Sequence, residues 1–180
     1  MYALLLAPGF EEVEAVTPAD FLRRAGIDVR LVGIGGRLIE GSHGIRVQAD
    51  LELGELPADV EGVIVPGGLP GATNVAASPQ AMELIRRLHE QGRLVAAICA
   101  APAVVLEPAG VLKGRRVTGY PGTESDIASG RFVQNRVVVD GNVVCSRGPG
   151  TAAEFAIKLI ELIAGREKAQ EVHRRTLQKD

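Results

Sequence analysis

The stretch "RLVAAICAAPAVVL" (residues 93–106) joins two kinds of structure around a single cysteine. Its first six residues, "RLVAAI", are mostly apolar and have the length of a buried β-strand. The alanine-rich residues that follow, "AAPAVVL", favour a helix. Cys99 therefore falls where the chain leaves the strand and enters the helix. A strand that turns directly into a helix is the repeating unit of a parallel α/β sheet.

The same alternation of strand and helix recurs along the chain. Continuous apolar runs predict buried strands, and capping or stop signals predict the helices between them. Further strands are expected at 2–7, 28–34, 44–50, 60–68, 115–120 and 136–146, the last of these as a hairpin turning at 140–142. Helices are expected from Glu11 to Gly26, with a kink or restart at Pro18, then at 78–92 and 151–165, and as a polar tail from Glu167. The pattern predicts an α/β fold, a flavodoxin-like, doubly wound three-layer sandwich with a mainly parallel sheet.

Length and composition limit the classes of protein that fit. The chain has 180 residues, 46% hydrophobic and 23% charged, so we expect one globular domain over residues 1–180. The formal net charge of −2 does not favour binding to nucleic acid or to an anionic membrane. No apolar run reaches the roughly 20 residues that cross a bilayer. The N-terminus lacks the basic segment of a signal peptide, and two cysteines make no disulfide framework, so we expect a cytoplasmic protein.

Three segments are expected to meet at one edge of the sheet. In doubly wound folds, ligands bind beyond the carboxyl ends of the parallel strands. That rule selects the loop after the first strand (residues 8–14), Gly67 and Gly68 after "VIVP", and Cys99 after "LVAAI". We therefore expect a functional site where these three segments come together.

Cys99 has the surroundings of a nucleophile on a tight turn. Ala97 and Ala101, two positions before and after it, are small enough for a strand-to-helix elbow. Such an elbow places the sulfur at a helix N-terminus, where the dipole and free N–H groups favour the thiolate. Free cysteines, however, are usually small buried hydrophobes, so spacing alone leaves both interpretations open. Cys145, within the strand "VVCS", is predicted to be structural.

The sequence offers few histidines as a base for this thiol. Only His43, His89 and His173 are present, and position 100, directly after the cysteine, is an alanine. His89 lies in an amphipathic helix and His173 in the polar tail, so both are expected at the surface. His43 lies in a glycine-flanked loop, and its place is less well defined by the sequence.

A carboxyl group is the alternative partner for the thiol. Glu14 shares a helical face with Phe10 and Phe21, whereas Glu11 and Glu12 are better placed for solvent. A glutamate buried beside a thiol would have a raised pKa and could donate a hydrogen bond to a thiolate or transfer a proton. The three glutamates are also consistent with a solvated acidic first turn of a helix.

The glycine pair also has two interpretations. Gly67 and Gly68 could form no more than a turn after their strand. Alternatively, their N–H groups could line an oxyanion hole together with the amide of Ala100.

Four segments, taken together and in order, resemble the ThiJ/PfpI superfamily, in the branch of the Parkinsonism-associated protein deglycase and its bacterial homologues. The resemblance extends over essentially the whole chain and implies a flavodoxin-like fold and a homodimer. We expect a site without cofactor or metal. The segments are "PGFEEVEAVTPADFLRRAGI", "VIVPGGLPGATN", "LVAAICAAP" and "SRGPGTAAEFA".

The resemblance also implies roles for individual residues. The family's reactive cysteine falls on Cys99. The glutamate that the family keeps protonated, hydrogen-bonded to the sulfur or to its oxidised form, falls on Glu14. The oxyanion amides fall on Gly68 and Ala100, with Gly67 beside them.

The sequence departs from the family pattern at three positions. Ala100 stands where the protease-type branch has a histidine, which argues against a cysteine peptidase or amidase. Tyr120 stands where some members have a histidine across the pocket, and it could still donate a hydrogen bond. His43 stands where an arginine often holds an anion near the sulfur, which would make such a contact depend on pH.

These observations predict a cofactor-independent thiol enzyme for 2-oxoaldehydes such as methylglyoxal, or for their adducts with proteins and nucleotides, that forms a 2-hydroxy acid. The alternative is an oxidative-stress sensor or chaperone that uses an oxidisable cysteine and has no enzymatic activity.

Overall fold

The structure, a computed structural model, describes residues 1–179. Within that range, the strands of the main sheet carry the apolar runs of the sequence. They are β1 (Tyr2–Leu6), β2 (Val29–Gly33), β5 (Leu51–Glu52), β6 (Gly62–Val65), β7 (Leu94–Ile98), β10 (Val137–Asp140) and β11 (Val143–Ser146). Two small sheets contain β3 (Leu38–Glu40) with β4 (Arg46–Gln48), and β8 (Arg116–Val117) with β9 (Arg131–Phe132).

The main sheet has the strand order β10-β11-β7-β6-β1-β2-β5. All neighbouring strands in it are parallel except β10 and β11, which form an antiparallel hairpin at one edge. Residues 3–6 of the central strand β1 have no solvent exposure. The carboxyl ends of β1, β6, β7 and β11 therefore lie side by side, which is where a site is expected in this architecture.

Two groups of helices cover the sheet. The helices are α1 (Glu12–Arg24), α2 (Gly71–Ala76), α3 (Pro79–Glu90), α4 (Ala152–Ala164) and α5 (Arg166–Arg175). The first group consists of α1, α4 and α5, and the second of α2, α3 and a short π-helical segment (Pro102–Leu106). The expected flavodoxin-like α/β fold is confirmed. None of the helices in residues 1–179 combines the length and the apolar character that a bilayer crossing needs.

The restart of the helix expected at Pro18 is wrong. The helix α1 runs without interruption from Glu12 to Arg24. A proline inside a helix removes one backbone hydrogen bond. Here Pro18 lies on the buried face of the helix with Ala15 and Leu22, and the packing of that face keeps the two halves together.

Three other segments differ from expectation. The helix expected after Cys99 is reduced to the π-helical segment, because Pro108 and Gly110, with φ of +77°, stop its extension. The strand expected at 115–120 contains only β8, because the amide of Tyr120 bonds to the carbonyl of Cys99 instead of a neighbouring strand. The strand expected at 44–50 pairs with β3 in a separate hairpin, outside the main sheet.

Candidate active site

Cys99 occupies a strained turn at the end of β7. Its φ is +65°, in the left-handed region that residues other than glycine rarely adopt. Two backbone hydrogen bonds hold the turn: the amide of Cys99 donates to the carbonyl of Ser146 (3.0 Å), and the amide of Tyr120 donates to the carbonyl of Cys99 (2.8 Å). The elbow geometry expected from the flanking alanines is therefore present, and Cys99 is 8% exposed.

The glycine pair after β6 lets three segments approach closely. A Cβ atom on Gly67 would lie 2.6 Å from the Cβ of Cys99 and 2.8 Å from the Oε2 of Glu14. Gly68 has φ of +82°, and a Cβ on it would lie 2.5 Å from the amide nitrogen of Glu11. Neither position accommodates a side chain, so the pair is more than a simple turn.

Glu14 is buried at the centre of this cluster. It has no solvent exposure, which confirms the burial expected from its shared face with Phe10. Its Oε2 accepts a hydrogen bond from the amide of Gly67 (2.8 Å), while its Oε1 has no partner within residues 1–179. Burial raises the pKa of Glu14 to about 7, against the hydrogen bonds from Cys99 and Gly67, which lower it. The amide of Gly67 is therefore occupied by Glu14 and is not free to line an oxyanion hole.

The thiol does not ionise as easily as the elbow alone would predict. Burial, followed by the charge of Glu14, raises the pKa of Cys99 to about 12. The amides of Gly68 and Ala100 donate to the sulfur and lower its pKa, but by less. The amides therefore favour the thiolate, as the elbow predicts, but burial and Glu14 outweigh them. Once Glu14 is protonated its charge disappears and its hydroxyl can donate to the sulfur, so Cys99 and Glu14 titrate as a pair.

Glu12 is not in solvent as expected, since it is only 5% exposed. Its Oε1 accepts from the amide of His43 (2.7 Å), and its Oε2 lies 2.9 Å from the Nδ1 of the same residue. Burial alone would raise the pKa of Glu12, but the hydrogen bonds from the side chain and backbone of His43 lower it to about 2. The hydrogen bond and the charge of Glu12 in turn raise the pKa of His43.

This arrangement settles where His43 points. Its hydrogen bonds within residues 1–179 go to Glu12 and Ser42, and its side chain is 70% exposed. The geometry thus gives His43 a contact with Glu12, two residues before Glu14, and none with the sulfur. The sequence could not reveal this contact, because the β3–β4 hairpin brings the loop over α1.

One cluster of ligand-type atoms exists within residues 1–179. Atoms of Glu11, Glu12 and His43 lie within 4.8 Å of one another. The carboxylate of Glu11 already caps α1 by accepting from the amide of Glu14 (2.8 Å), and that of Glu12 holds the loop at His43. These hydrogen bonds account for the cluster, and we assign no metal to it.

Residues at the end of β11 complete the site and were missed by the sequence analysis. A Cβ on Gly148 would lie 3.4 Å from the Cδ2 of Tyr120 and 3.9 Å from the Oε1 of Glu14. Tyr120 itself is 49% exposed, and its amide donates to the carbonyl of Cys99 (2.8 Å). The sequence pattern of residues 136–146 predicts a hairpin, and it does not indicate that β11 also pairs in parallel with β7. The strand-end rule applied to β11 would have selected Arg147 and Gly148.

Cys145 lies away from this chemistry. It sits within β11, paired in register with Ala97 of β7, and is 1% exposed. Burial raises the pKa of Cys145 to about 12. Both cysteines are free thiols.

These features define an α/β protein with a cysteine on a strand-to-helix elbow and a buried glutamate beside it. The family model described as DJ-1/PfpI matches residues 2–162. The chain belongs to the DJ-1/PfpI family.

Individual relatives agree with this assignment. Protein dj-1beta of Drosophila melanogaster is 42% identical over 173 residues, covering 94% of this chain and 92% of its own. A protein named deglycase from Pyrococcus abyssi is 35% identical over 163 residues, covering 89% of this chain and 97% of its own. The structure of oxidised Toxoplasma gondii DJ-1 superposes with a TM-score of 0.95 at 34% identity, covering 98% of this chain and 97% of that chain.

The raised pKa of Glu14 predicts a pH-dependent cost to stability. The folded protein binds the proton more tightly than the unfolded chain, whose glutamate has a pKa near 4.5. The stability that the protonated carboxyl of Glu14 contributes to the free energy of unfolding is therefore fully present below about pH 4.5. It is lost as the pH rises through about 7. Glu14→Gln, which is always neutral, should stabilise the protein at pH 8 by up to about 3 kcal/mol and by little at pH 5.

Urea unfolding at the two pH values measures this difference. Glu83→Gln, an exposed substitution of the same type on α3, serves as the control and should match the wild type at both. A stabilisation by Glu14→Gln of the same size at pH 5 and pH 8 would contradict the raised pKa.

Proposed function

We propose that this protein is a cofactor-independent thiol enzyme that converts 2-oxoaldehydes such as methylglyoxal, free or as early adducts on proteins and nucleotides, to 2-hydroxy acids. The observation that carries the proposal is the position of Glu14. A fully buried carboxyl with a pKa of about 7 lies beside a cysteine on an elbow, and one of its oxygens is without a partner. A group of this pKa can give and take a proton at neutral pH.

In the first step, the sulfur of Cys99 attacks the aldehyde carbon. The S–C bond forms, the carbonyl electron pair moves to oxygen, and the product is a hemithioacetal. The proton of the thiol passes to Glu14 and from there to the new oxyanion, which completes the hemithioacetal and leaves Glu14 as a carboxylate for the next step. The amides of Gly68 and Ala100, which bond to the sulfur, are the donors we assign to the developing oxyanion.

In the second step, Glu14 moves a proton between the two substrate carbons. Its carboxylate removes the hydrogen from the former aldehyde carbon, giving an enediol, and returns a proton to the neighbouring carbon. The aldehyde carbon is thereby oxidised to a thioester and the ketone carbon is reduced to an alcohol, with no external oxidant. Water then hydrolyses the thioester, which releases the 2-hydroxy acid and the free thiol of Cys99.

A relative whose name denotes an enzyme supports the proposal that this protein is an enzyme. The relative from Pyrococcus abyssi carries the name deglycase at 35% identity. A peptidase or amidase is disfavoured, because such a thiol usually needs a histidine. Ala100 follows the cysteine here, and the hydrogen bonds of His43 within residues 1–179 go elsewhere.

Turnover of methylglyoxal to lactate, followed by NMR, tests the proposal. Cys99→Ala should abolish it, because no hemithioacetal can form. Glu14→Gln should lower kcat about 100-fold or more, because the proton shuttle is lost. Cys145→Ala and Glu83→Gln are the matched controls and should retain most of the activity. Wild-type rates in both Cys99→Ala and Glu14→Gln would refute the mechanism.

A second candidate function is oxidation sensing at the same cysteine. The oxidised Toxoplasma gondii DJ-1 superposes closely on this chain. The amides that face the sulfur of Cys99 could equally hold the oxygens of a sulfinate. Intact mass after mild peroxide distinguishes the two. A gain of about 32 Da confined to Cys99, together with negligible turnover of aldehyde, favours the sensor. Turnover that depends on Cys99 favours the enzyme.

We also propose that the protein forms a homodimer through α1 and the β3–β4 hairpin. Val13 and Val16 are each 47% exposed on α1, and Leu38 and Ile45 are 64% and 58% exposed on the hairpin. Glu12 joins the two elements, so these side chains belong to one region of the surface.

A charge placed in this region should break the dimer. Val16→Asp is expected to shift the protein to a monomer in sedimentation velocity, because a carboxylate would be buried without a partner. Val139→Asp, on the edge strand β10, is the control and should leave the mass unchanged. An unchanged mass for Val16→Asp would exclude this interface.

A further inference from the structure

The segment that follows β11 packs against both reacting groups of the candidate site. The carbonyl of Ser146 accepts the hydrogen bond from the amide of Cys99 (3.0 Å). Two residues later, a Cβ on Gly148 would lie 3.9 Å from the Oε1 of Glu14. That oxygen has no hydrogen-bond partner within residues 1–179, and Glu14 has no solvent exposure. The main chain at Gly148 is therefore one of the groups that cover the free oxygen of Glu14.

One buried hydroxyl holds this segment in its conformation. Thr151 is 5% exposed, and its Oγ1 accepts hydrogen bonds from the amides of Arg147 (3.2 Å) and Gly148 (3.1 Å). The same hydroxyl donates to the carbonyl of Gly148 (2.9 Å), which also accepts from the amide of Thr151 (2.8 Å). Both backbone polar groups of Gly148 thus bond to Thr151.

A second hydroxyl joins this turn to the sheet. Ser146 has no solvent exposure, and its Oγ lies 2.7 Å from the Oγ1 of Thr151. It also donates to the carbonyl of Arg136 (2.9 Å), the residue before β10. Buried hydroxyls are costly to leave unbonded, so each member of the pair restrains the other. The pair therefore ties the turn to both strands of the edge hairpin.

Gly148 is the point at which this support acts on the site. A Cβ there would lie 3.4 Å from the Cδ2 of Tyr120 as well as 3.9 Å from the Oε1 of Glu14. The charged side chain of the turn, that of Arg147, donates to the carbonyl of Gln134 (3.3 Å). If the turn moved outward, water would reach the carboxyl of Glu14, because Gly148 has no side chain to fill the gap.

Burial is the largest influence on the pKa of Glu14, and it raises that pKa. The hydrogen bonds from Cys99 and Gly67 lower the pKa, and the charge of Glu11 raises it. Thr151 carries no charge, and the hydrogen bonds of its hydroxyl go to the turn and to the second hydroxyl. It can therefore act on Glu14 only through burial.

We propose that Thr151 is a positioning residue: its hydroxyl holds the main chain at Gly148 against the carboxyl of Glu14 and so excludes water from the oxygen that exchanges the proton. This inference rests on the proposed function, in which Glu14 accepts and returns a proton, and it adds a residue that does not touch the substrate. Without this contact Glu14 would be hydrated, and it would ionise at lower pH.

Infrared spectroscopy of Glu14 tests the inference without turnover. The C=O stretch of the protonated carboxyl, identified by its loss in Glu14→Gln, reports the pKa as the pH is varied. Thr151→Val keeps the shape of the side chain and removes the hydroxyl, so we expect the pKa of Glu14 to fall by about one unit. Thr151→Ser keeps the hydroxyl and should retain the wild-type pKa.

Thr118→Val is the matched control. Thr118 has no solvent exposure, but its hydroxyl has no hydrogen-bond partner among residues 1–179. The same substitution there removes no hydrogen bond of this kind, and the pKa of Glu14 should stay at its wild-type value.

A purely structural role of Thr151 predicts a different result. Thr151→Val would then lower the free energy of unfolding in urea and leave the pKa of Glu14 unchanged, and this outcome overturns the inference. If Thr151→Val does not fold, Ser146→Ala takes its place, because it removes the link between the turn and the sheet. It should lower the pKa of Glu14 by a smaller amount, and an unchanged pKa overturns the inference there too.

Turnover separates this inference from the proposed function. In Thr151→Val, kcat for methylglyoxal at pH 7 should fall about tenfold with little change in KM, and Thr151→Ser should recover most of it. The pH profile of kcat should move to lower pH together with the pKa of Glu14. A shifted pKa in Thr151→Val, with no aldehyde turnover by the wild type, would refute the proposed function and keep the role of Thr151. Wild-type turnover with an unshifted pKa in Thr151→Val would refute the role of Thr151 alone.

Discussion

The hydrogen bond from the amide of Gly67 to the buried carboxyl of Glu14 joins the parts of the protein that make the candidate site. Gly67 follows β6, Glu14 lies in the first turn of α1, and a Cβ on Gly67 would contact Cys99 at the end of β7. Three strand ends are thereby held around one carboxyl. A buried polar group without a partner is costly, so this backbone donor restricts where the side chain of Glu14 can lie.

The same bond explains why the surrounding residues are small. The carboxyl, the thiol and the amides occupy the space in which side chains at positions 67 and 68 would stand. Cys99 is held in a left-handed conformation that costs free energy, and Glu14 is held in an environment that disfavours its charge. Strain and burial are concentrated at one point, while the sheet around it is fully packed. That distribution is typical of sites where stability is given up for chemistry.

The sequence predicted what depends on local pattern. Apolar runs located every strand of the main sheet except β5, small residues located the elbow at Cys99, and helical periodicity distinguished Glu14 from its neighbours. The contacts that the sequence pattern did not predict join segments far apart in the chain. Glu12 is buried because a hairpin some 30 residues later folds over it, and no periodicity within α1 records that. Gly148 lies next to Glu14 because β11 pairs with β7 as well as with β10, and a hairpin pattern specifies only the second pairing.

Glu12 and Glu14 demonstrate that the environment of a carboxyl, rather than the residue type, sets its pKa and therefore its chemical role. The two side chains lie in the same turn of α1, and both are buried. Glu12 accepts hydrogen bonds from the backbone and side chain of His43, which outweigh its burial, and it remains a carboxylate. Glu14 accepts one backbone hydrogen bond, from Gly67, and its burial prevails. Because more donors surround its carboxyl, Glu12 stays ionised and anchors a loop. Glu14, with fewer donors, exchanges its proton near neutral pH.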